Sequence, residues 1–465
     1  MPHARALPMF PARLEEPRDE LVSHAQSGPR YTSYPPATQF RTRFAAADAA
    51  AELAAMPTAP ISLYAHIPFC SQLCWYCGCN VTATRDRSRG TSYVDLLIRE
   101  LDLVAGALGR RQAVADLSFG GGSPNFLRTE DMGRLVAALR ARFDLGADAE
   151  LGIELDPRDT REAQLDALAA LGFTRLSVGI QDFAPEVQEA IHRIQSVEQT
   201  AAVIDRARAV GFRSVNADLV YGLPGQTVER LERTLAEVID FEPDRIAVFG
   251  YAHLPHLRPH QQLVERKLPV PDLPARVELL RSVLGRLADA GYVRVGLDHF
   301  ARPKDPLVKA MESGRLGRNF QGYVIHRSDA LLGVGASAIS DSGNAYWQNA
   351  VDLPTWTEAV EAGRLPVVRG VGLDADDRLR RFVINRLMCE GRLDFADVAA
   401  AHGVDVTTRF ATELAALERR HGDLAIVDRE AGAITATPLG HHLIRNVAKV
   451  FDRYTLEGGT GSPTI

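Results

Sequence analysis

The sequence predicts an α/β protein built around an incomplete (β/α)6 barrel, with an N-terminal arm and a smaller, mostly helical C-terminal domain. Six apolar, strand-like runs alternate with amphipathic helical segments between residues 61 and 251, and the pattern changes after about residue 300. Several of the runs also place polar side chains on one face. A chain of 465 residues exceeds what one hydrophobic core usually fills, which favours a large domain with a smaller one beside it.

The βα series gives the bounds of the predicted strands. Strands are predicted over residues 61–69, 114–122, 150–157, 175–181, 214–223 and 245–251. The segments between them, such as TSYVDLLIRELDLVAGAL and TVERLERTLAEVIDF, are long enough for right-handed crossovers between parallel strands. The series fits either a doubly wound sheet or an incomplete barrel.

The alternation of residues within the strands favours the barrel. One face of a strand is apolar and suits packing against helices, whereas the opposite face carries polar groups. The polar residues expected in the lumen are Tyr64, His66, Glu154, Gln181 and Asp218. The alternative is that each occupies an exposed position on a half-solvated sheet. A parallel sheet is normally buried on both faces, so a polar lumen explains these positions better.

The chain changes character after the βα series. Residues of about 301–350 are rich in Gly, Ser and Asn, which predicts a loop-rich connection that completes the active site. From Leu393, two helices, a hairpin and a further helix predict a winged-helix-like module, and the closing LEGGTGSPTI predicts a flexible tail. The predicted domains are an N-terminal arm over 1–58, the barrel over 59–300, the connection over 301–370 and the C-terminal domain over 371–465.

The winged-helix-like module raises the alternative of a transcription factor, because such modules often place their second helix in the DNA major groove. Here the second helix commits Phe410, Leu414 and Leu417 to its own core, and Glu413 and Glu418 offset its arginines. A lid or docking role is therefore favoured over DNA binding.

Composition and charge narrow the function classes further. The chain has 53 Lys and Arg against 59 Asp and Glu, for a net charge of −6. It therefore lacks the excess of positive charge that is typical of nucleic-acid-binding proteins. The opening MPHARALPMFPARLEEPRDE lacks the apolar core of a signal peptide, and no run of apolar residues is long enough to span a membrane. We expect a cytoplasmic monomer that binds no nucleic acid.

The stretch HIPFCSQLCWYCGCN, residues 66–80, holds four of the five cysteines. Thiolates at such short spacings bind zinc or iron–sulfur clusters. A structural zinc site usually draws its ligands from two separated pairs, and here only Cys389 lies elsewhere. The spacing CxxxCxxC directly after a first strand instead favours a 4Fe–4S cluster with one iron that no protein side chain binds.

The motif FGGGSP, residues 119–124, lies at the end of the second predicted strand. Three consecutive glycines allow backbone N–H and C=O groups to approach a ligand without interference from Cβ atoms. Turns use glycine freely, so the motif is informative because of its position rather than its composition.

The cysteine spacing in this context resembles the radical S-adenosylmethionine (SAM) superfamily. Longer motifs, among them GPRYTSYPPATQF, LYAHIPFCSQLCWYCGCN, IELDPR, LSVGIQDF, NADLVYGLPGQT, FGYAHLP and DHFARP, resemble the oxygen-independent coproporphyrinogen III oxidases (dehydrogenases) of bacterial haem biosynthesis. The resemblance runs from about residue 28 to about residue 455. It implies a radical SAM partial barrel of six βα units, a 4Fe–4S cluster and two SAM molecules.

The resemblance also implies site residues. The cluster ligands would be Cys70, Cys74 and Cys77, whereas Cys79 matches a family cysteine that does not ligate. The implied SAM contacts are Tyr64, Tyr76, Gly121, Gly122, Ser123, Glu154, Gln181, Arg193, Asp218, Ala252 and Ile339.

The chemistry of these residue types agrees with the implied roles. Asp218 suits the ribose hydroxyls, Arg193 the methionine carboxylate, and Glu154 the sulfonium or ammonium end of SAM. His66, on the predicted lumen face, is the expected catalytic residue, as a proton donor or a propionate partner. The alternative is a histidine whose hydrogen bonds are satisfied within the lumen.

The implied activity is an anaerobic oxidative decarboxylation. Two propionate side chains of coproporphyrinogen III become vinyl groups by 5'-deoxyadenosyl radical chemistry, which gives protoporphyrinogen IX. The expected partners are coproporphyrinogen III, a low-potential electron donor such as flavodoxin, and an unidentified electron acceptor.

A radical-SAM-related haem chaperone is the nearest alternative, but such chaperones generally lack the RYTSYP arm and the cysteine matching Cys79. We expect Arg30, Tyr31 and Tyr34 of that arm to contact a ligand and to fold over the barrel mouth when substrate binds. The alternative for the arm is a crossing segment that packs on the surface of the domain.

Overall fold

Six parallel strands form the centre of the fold. The computed structural model describes residues 10–325, 330–454 and 462–465. The parallel strands lie side by side in chain order, which confirms the predicted βα series. We number them β1 to β6: Ile61–Ile67, Gln112–Gly121, Phe143–Leu155, Arg175–Gln181, Ser214–Tyr221 and Arg245–Gly250.

Helices connect the parallel strands and cover the outside of the sheet. They are Ser88–Leu108, Thr129–Arg142, Glu162–Ala170, Pro185–Ala190, Val197–Ala209, Val228–Asp240 and Leu273–Asp289. Side-chain caps fix where several begin: Ser196, Thr227 and Asp272 each accept a hydrogen bond from a backbone N–H in the first turn. Among the described residues, no helix is long and apolar enough to cross a membrane.

The sheet is larger than the sequence predicts, because it has twelve strands within the described residues. Beside β6 lie two short antiparallel strands, and beside β1 lies a strand parallel to it, followed by three antiparallel strands. These six are Val293–Val295, His299–Ala301, Leu331–Val334, Ile339–Asp341, Ala345–Asn349 and Val367–Gly372. The segment predicted as a loop-rich connection therefore extends the sheet. The barrel stays open, because β1 and β6 are not neighbours.

The C-terminal part contains the predicted helices and hairpin. The helices are Ala375–Glu390, Phe395–His402, Val406–Arg409, Ala411–Arg420, Pro438–His442 and Ile444–Lys449. The hairpin of Ala425–Asp428 and Ala433–Ala436 gains a third strand, Arg392–Asp394. Phe410, Leu414 and Leu417 are fully buried, as predicted for the second helix.

The N-terminal arm packs into the main core. It contains the helices Arg18–His24 and Ala46–Ala54, and between them Tyr31 and Tyr34 are 6% and 2% exposed. The Tyr31 hydroxyl donates to Asp452 Oδ2 at 3.1 Å, and the Tyr34 hydroxyl accepts from the backbone N–H of Arg453 at 3.0 Å. The expectation that these tyrosines contact a ligand rather than pack is therefore wrong, because their rings fill the core and their hydroxyls find protein partners.

The end of the chain also differs from the prediction of a flexible tail. Residues 455–461 of this region lie outside the described residues, but residues 462–463 pair with Ser27–Gly28. The Thr464 N–H donates to Gln26 O at 2.8 Å, and Ile465 is 2% exposed. For residues 462–465 the prediction of flexibility is wrong, because the arm supplies a strand partner and Ile465 belongs to the main apolar core.

Candidate active site

The cysteine loop follows β1 at the carboxyl ends of the parallel strands, where α/β sheets usually bind ligands. A short parallel pair, Phe69–Cys70 with Thr82–Ala83, closes the base of the loop. Side chains from the segment after β6 hold the loop backbone from the opposite side. Gln261 Nε2 donates to Tyr76 O at 2.8 Å, Arg258 Nε donates to Gly78 O at 2.9 Å, and His260 Nε2 lies 2.7 Å from Cys77 O.

The loop thiols differ in exposure and acidity. Cys74 is buried, Cys70 and Cys77 are half-buried, and Cys79 is exposed. A hydrogen bond from Cys79 lowers the pKa of Cys77 to about 7. Burial, together with the charges of Cys77 and Cys74, raises the pKa of Cys70 to about 12. The three predicted ligands therefore lie close enough for their thiolates to repel one another.

This donor set fits a 4Fe–4S cluster. Within the described part of the chain, no three His, Cys, Asp or Glu side chains are gathered for a single metal ion. In a cluster each thiolate binds a different iron, so its ligands stand farther apart than those around one ion. Cationic iron would relieve the repulsion between the thiolates. Arg158 Nη2 and Arg193 Nη1, at 3.3 and 3.6 Å from Cys74 Sγ, offset negative charge there.

An ion-pair group beside Cys74 contains two residues that the sequence analysis missed. Asp156 accepts from Arg193 Nη1 at 3.1 Å and from Arg158 Nη2 at 2.6 Å. Burial raises the pKa of Asp156, but the two guanidinium groups outweigh burial and hold it at about 2. Arg193, predicted to pair with the SAM carboxylate, is thus already paired with Asp156. The signal for both missed residues is the IELDPR motif, which spans the end of β3 and the three residues after it.

The glycine motif lets lumen groups and the cysteine loop approach one another. Gly121 has a φ of +113°, and a Cβ atom there would overlap the His66 ring. A Cβ on Gly122 would lie 2.6 Å from Phe69 O. The Gly122 N–H donates to Ile67 O at 2.9 Å, so this glycine ties β2 to the start of the cysteine loop.

Ser123, the next residue, is buried rather than open to a ligand. Its hydroxyl donates to Asn125 Oδ1 and accepts from the Asp156 N–H at 3.2 Å. Ser123 therefore connects the glycine motif to the ion-pair group.

Two carboxylates face each other in the lumen. Glu154 Oε2 accepts from the Gly121 N–H at 3.3 Å, and Asp218 accepts from Ser177 Oγ and Asn216 Nδ2 at 2.6 and 2.7 Å. Burial raises the pKa of Glu154 to about 7, and the charge of Asp218 acts in the same direction. Burial likewise raises the pKa of Asp218. Glu154 is open to solvent in the lumen and Asp218 is half-buried. Two neighbouring carboxylates favour a positively charged ligand, and the sulfonium of SAM is one.

His66 lies between Tyr64 and the cysteine loop. Its Nδ1 is 3.0 Å from Tyr64 Oη, and its Nε2 is 3.2 Å from Asn80 O. A carbonyl oxygen only accepts, so Nε2 carries the proton and Nδ1 accepts from the Tyr64 hydroxyl. Burial lowers the pKa of His66 to about 4, which leaves the ring neutral at pH 7. Its hydrogen bonds are satisfied by the protein, and its catalytic role stays a prediction.

Gln181 and Ile339 lie at opposite sides of the lumen. Gln181 ends β4, at an irregularity in the pairing of β4 with β5. Its φ of +71° is a strained backbone conformation of the kind often found at functional sites. Tyr64 pairs with Gly333, and the antiparallel register places Gly333 opposite Ile339. Residues in one such row share a face of the sheet, so Ile339 faces the lumen with Tyr64.

Tyr76 and Ala252 meet at the opening of the lumen near β6. The Gln261 side chain donates to both of their carbonyl oxygens, at 2.8 and 3.3 Å. The Tyr76 ring packs against the apolar cluster that includes Ile191 and Tyr251. Most of the predicted SAM contacts therefore border the lumen, its opening or the cysteine loop, whereas Ser123 and Arg193 are already bonded to Asn125 and Asp156. Their roles as SAM contacts stay predictions.

Comparisons with known proteins agree with this site. Residues 64–238 match the radical SAM superfamily, and residues 373–440 match the HemN C-terminal domain. The first match contains the cysteine loop, the glycine motif and both lumen carboxylates. The second match contains the hairpin and the helices from Ala375–Glu390 to Ala411–Arg420.

Relatives cover nearly the whole chain. An oxygen-independent coproporphyrinogen III oxidase of Pseudomonas aeruginosa is 42% identical over 443 residues, which are 94% of this chain and 95% of that protein. One from Escherichia coli is 42% identical over 437 residues, 93% of this chain and 94% of the relative. The solved structure of the Escherichia coli coproporphyrinogen III oxidase, described as a radical SAM enzyme, aligns with a TM-score of 0.88 at 40% identity and covers 94% of this chain and 98% of its own. The chain thus belongs to the oxygen-independent coproporphyrinogen III oxidase family of the radical SAM superfamily.

Proposed function

We propose that the protein converts coproporphyrinogen III to protoporphyrinogen IX in haem biosynthesis, by anaerobic oxidative decarboxylation of two propionate side chains. The observation that carries the proposal is the convergence of the cysteine loop and the paired lumen carboxylates on one opening of the barrel. Relatives of about 40% identity over nearly the full chain are named as coproporphyrinogen III oxidases, which supports this activity.

The cofactor sites follow from the same residues. Cys70, Cys74 and Cys77 would hold a 4Fe–4S cluster, and the lumen would hold SAM. When bound, these groups supply one-electron, hydrogen-abstracting chemistry that no protein side chain provides. We propose two SAM molecules, because the predicted contacts extend from Ile339 beyond β1 to Ala252 after β6.

The side chains would bind and orient SAM and the substrate. Glu154 and Asp218, as carboxylates, would hold the cationic sulfonium and the ribose hydroxyls. The neutral His66 would donate from Nε2 to a substrate propionate by exchanging its bond to Asn80 O. The closed base of the cysteine loop would keep water from the reacting groups.

The conversion of each propionate must balance in atoms and electrons. One hydrogen atom would leave the β-carbon and end up in the 5'-deoxyadenosine that SAM supplies, the carboxylate would leave as CO2, and one electron would pass to an acceptor, which leaves a vinyl group. The acceptor is unidentified, and we propose a low-potential donor such as flavodoxin for the cluster. We further propose a cytoplasmic monomer, since five free cysteines suit a reducing compartment.

An anaerobic assay tests the function. Reconstituted protein with SAM, a strong reductant, coproporphyrinogen III and an electron acceptor should release protoporphyrinogen IX, with one 5'-deoxyadenosine formed per decarboxylation. A Cys74→Ser variant is the negative control. Stable haem binding with no decarboxylation under any reductant would instead favour the haem chaperone.

A further inference from the structure

A cavity lined by five arginines lies beside the active site, at the ends of β5 and β6. It is a partly open space between the barrel, the N-terminal arm and the C-terminal part, with about 590 Å³ of empty volume including the solvent at its mouth. The arginines come from segments far apart in the chain, and Asp298 is the one acidic side chain among the lining residues described. The arginines are Arg30, Arg276, Arg294, Arg318 and Arg445.

Two of these arginines, Arg276 and Arg318, keep donors that the protein does not satisfy. Arg30 Nη2 donates to Gly250 O at 3.0 Å, Arg276 Nη1 to Tyr251 O at 2.9 Å, and Arg318 Nε to Arg30 O at 3.3 Å. Arg276 and Arg318 are each 8% exposed, yet Arg276 Nε and Arg318 Nη1 have no hydrogen-bond partner in the described structure. Unpaired buried donors are costly unless a ligand completes them.

The cavity also carries an excess of positive charge. Arg318 Nη1 lies 3.9 Å from Asp298 Oδ1, which is an ion pair but too long for a hydrogen bond. Burial lowers the pKa of Arg445 to about 10, and the nearby charge of Arg30 acts in the same direction. Burial likewise lowers the pKa of Arg294 to about 10. Guanidinium groups stay protonated in proteins, so five arginines against one acidic side chain give the cavity a net positive charge that favours an anion.

The cavity adjoins the lumen through His299. The His299 Nδ1 lies 2.8 Å from Asp298 Oδ1, and His299 is close enough to act on the pKa of Asp218 in the lumen. Gly250 and Tyr251, which accept from the arginines, directly precede the predicted SAM contact Ala252. An anion held here would therefore lie next to the reacting groups.

We propose that this cavity binds carboxylate groups of the substrate's propionate side chains and so positions another propionate for decarboxylation in the lumen. The inference rests on the proposed function. Guanidinium groups match carboxylates bidentately, and coproporphyrinogen III carries four propionates, of which two keep their carboxylates throughout the reaction. A carboxylate that is not consumed can bind the cavity during both decarboxylations and hold the macrocycle in place.

Binding of two matched ligands to the reconstituted protein tests the proposal. Coproporphyrin III has the four carboxylates, and its tetramethyl ester has none. Arg318→Gln and Arg276→Gln should each raise the Kd of coproporphyrin III by about 10- to 100-fold, with no change for the ester. Arg318→Lys keeps the charge but loses the paired N–H donors of the guanidinium group. Its Kd for coproporphyrin III should therefore lie between those of Arg318→Gln and the parent.

Arg208→Gln is the matched control, because Arg208 is an exposed barrel arginine that also bonds only to backbone carbonyls, those of Phe241 and Glu242. Its Kd values should equal those of the parent, and thermal melts should show that all variants fold. The carboxylate of SAM is the other possible source of the anion, so SAM affinity is measured in parallel and should not change.

The outcomes separate the inference from the function beneath it. Unchanged affinity for coproporphyrin III in both glutamine variants, with normal decarboxylation by the parent, overturns the inference alone. Loss of SAM binding in place of porphyrin binding also overturns it, because the cavity would then hold the SAM carboxylate. If the parent neither binds nor decarboxylates the porphyrinogen, the proposed function and the inference both fail.

Discussion

Arg193 donates two hydrogen bonds to the Asp156 carboxylate, at 3.1 and 3.3 Å, and the same Nη1 lies 3.6 Å from Cys74 Sγ. The pair joins the segment after β3 to the cysteine loop after β1. Arg158, on the other side of Asp156, also contacts Cys74. Asp156 therefore balances two cations that face a predicted cluster ligand, which makes it a positioning residue for the cluster environment.

The variant Asp156→Asn tests this relationship. It keeps the shape but removes the charge that compensates Arg158 and Arg193, so we expect the reduction potential of the cluster to rise. Breaking a buried ion pair should also cost about 3–5 kcal/mol of unfolding free energy. A potentiometric titration followed by electron paramagnetic resonance measures the potential. Asp166→Asn, which breaks an ion pair with Arg206 on outer helices, should leave it unchanged. A fall in the potential of Asp156→Asn would contradict the assignment.

The cluster ligands can be tested by iron content. Changing Cys70, Cys74 or Cys77 to Ser removes one of three protein ligands, and each variant should lose the brown chromophore after anaerobic reconstitution. Cys79→Ser should keep it, because Cys79 acts through its hydrogen bond to Cys77. Cys389→Ser, at a buried thiol that bonds Asn385, is the control outside the loop. Near-full iron in Cys74→Ser would show that the ligand set is wrong.

The βα series could be predicted from the sequence because long apolar runs and amphipathic helices carry a periodic signal. The bounds of β4, residues 175–181, agree with the prediction. The added strands could not be predicted in this way. Those beside β1 have three to six residues and lie among glycines, so their pairing depends on register with β1 rather than on local pattern.

In the site, too, some residues could be predicted from local sequence and others only from the fold. The cysteine spacing indicates the ligands of a cluster, but Asp156 and Arg158 become recognisable only when folding brings β3 beside the cysteine loop. Tyr31 and Tyr34 misled the prediction, because a short segment gives no indication of the groove that buries it. The arginine cavity was missed for a related reason. Its members lie between residues 30 and 445 and share no sequence motif.

Glu154 predicts a pH dependence of SAM binding. Its pKa rises from 4.5 to about 7, first through burial and then through the charge of Asp218, so Glu154 gains a proton as the pH falls through about 7. A protonated carboxyl attracts the sulfonium less, and SAM affinity should fall between pH 8 and pH 6. Glu154→Gln should bind SAM weakly at both pH values. Calorimetry showing an unchanged pH dependence in this variant would exclude Glu154 as the cause.

The same shift affects stability with a defined sign. The folded-state pKa of Glu154 lies above the unfolded value. The contribution of Glu154 to the free energy of unfolding therefore declines as the pH rises from about 4.5 to about 7. Glu154→Gln should therefore raise the unfolding free energy at pH 8, but by only a fraction of what the pKa shift alone would give, because solvent reaches the Glu154 side chain and screens its charge. Glu100, which is 1% exposed and also has a pKa raised to about 7, accepts from Trp356 and Asn349. Glu100→Gln should instead destabilise the fold and leave SAM affinity unchanged, which makes it the matched control.

Gly121→Ala tests the close approach of β2 to the lumen. The substitution places a Cβ atom against the His66 ring at a φ of +113°, so we expect His66 to move, the fold to lose about 1–3 kcal/mol and SAM binding to weaken. Gly106→Ala lies in an exposed helical turn with nothing within 4 Å of the new Cβ, and it should stabilise the fold by up to about 1 kcal/mol. Normal SAM affinity in Gly121→Ala would mean that His66 does not border the SAM site.

The last prediction concerns the N-terminal arm. Deleting residues 1–37 should destabilise the whole domain, because Tyr31 and Tyr34 belong to its core, so point variants are the informative test. Tyr31→Phe removes the donor to Asp452 and should cost about 0.5–1.5 kcal/mol of unfolding free energy, with unchanged decarboxylation per folded molecule. Arg30→Gln leaves the tyrosines in place but removes a cavity guanidinium, and it should slow decarboxylation with little effect on melting. If Tyr31→Phe slows the reaction as much as Arg30→Gln, the arm acts through its overall position and not through the Arg30 charge.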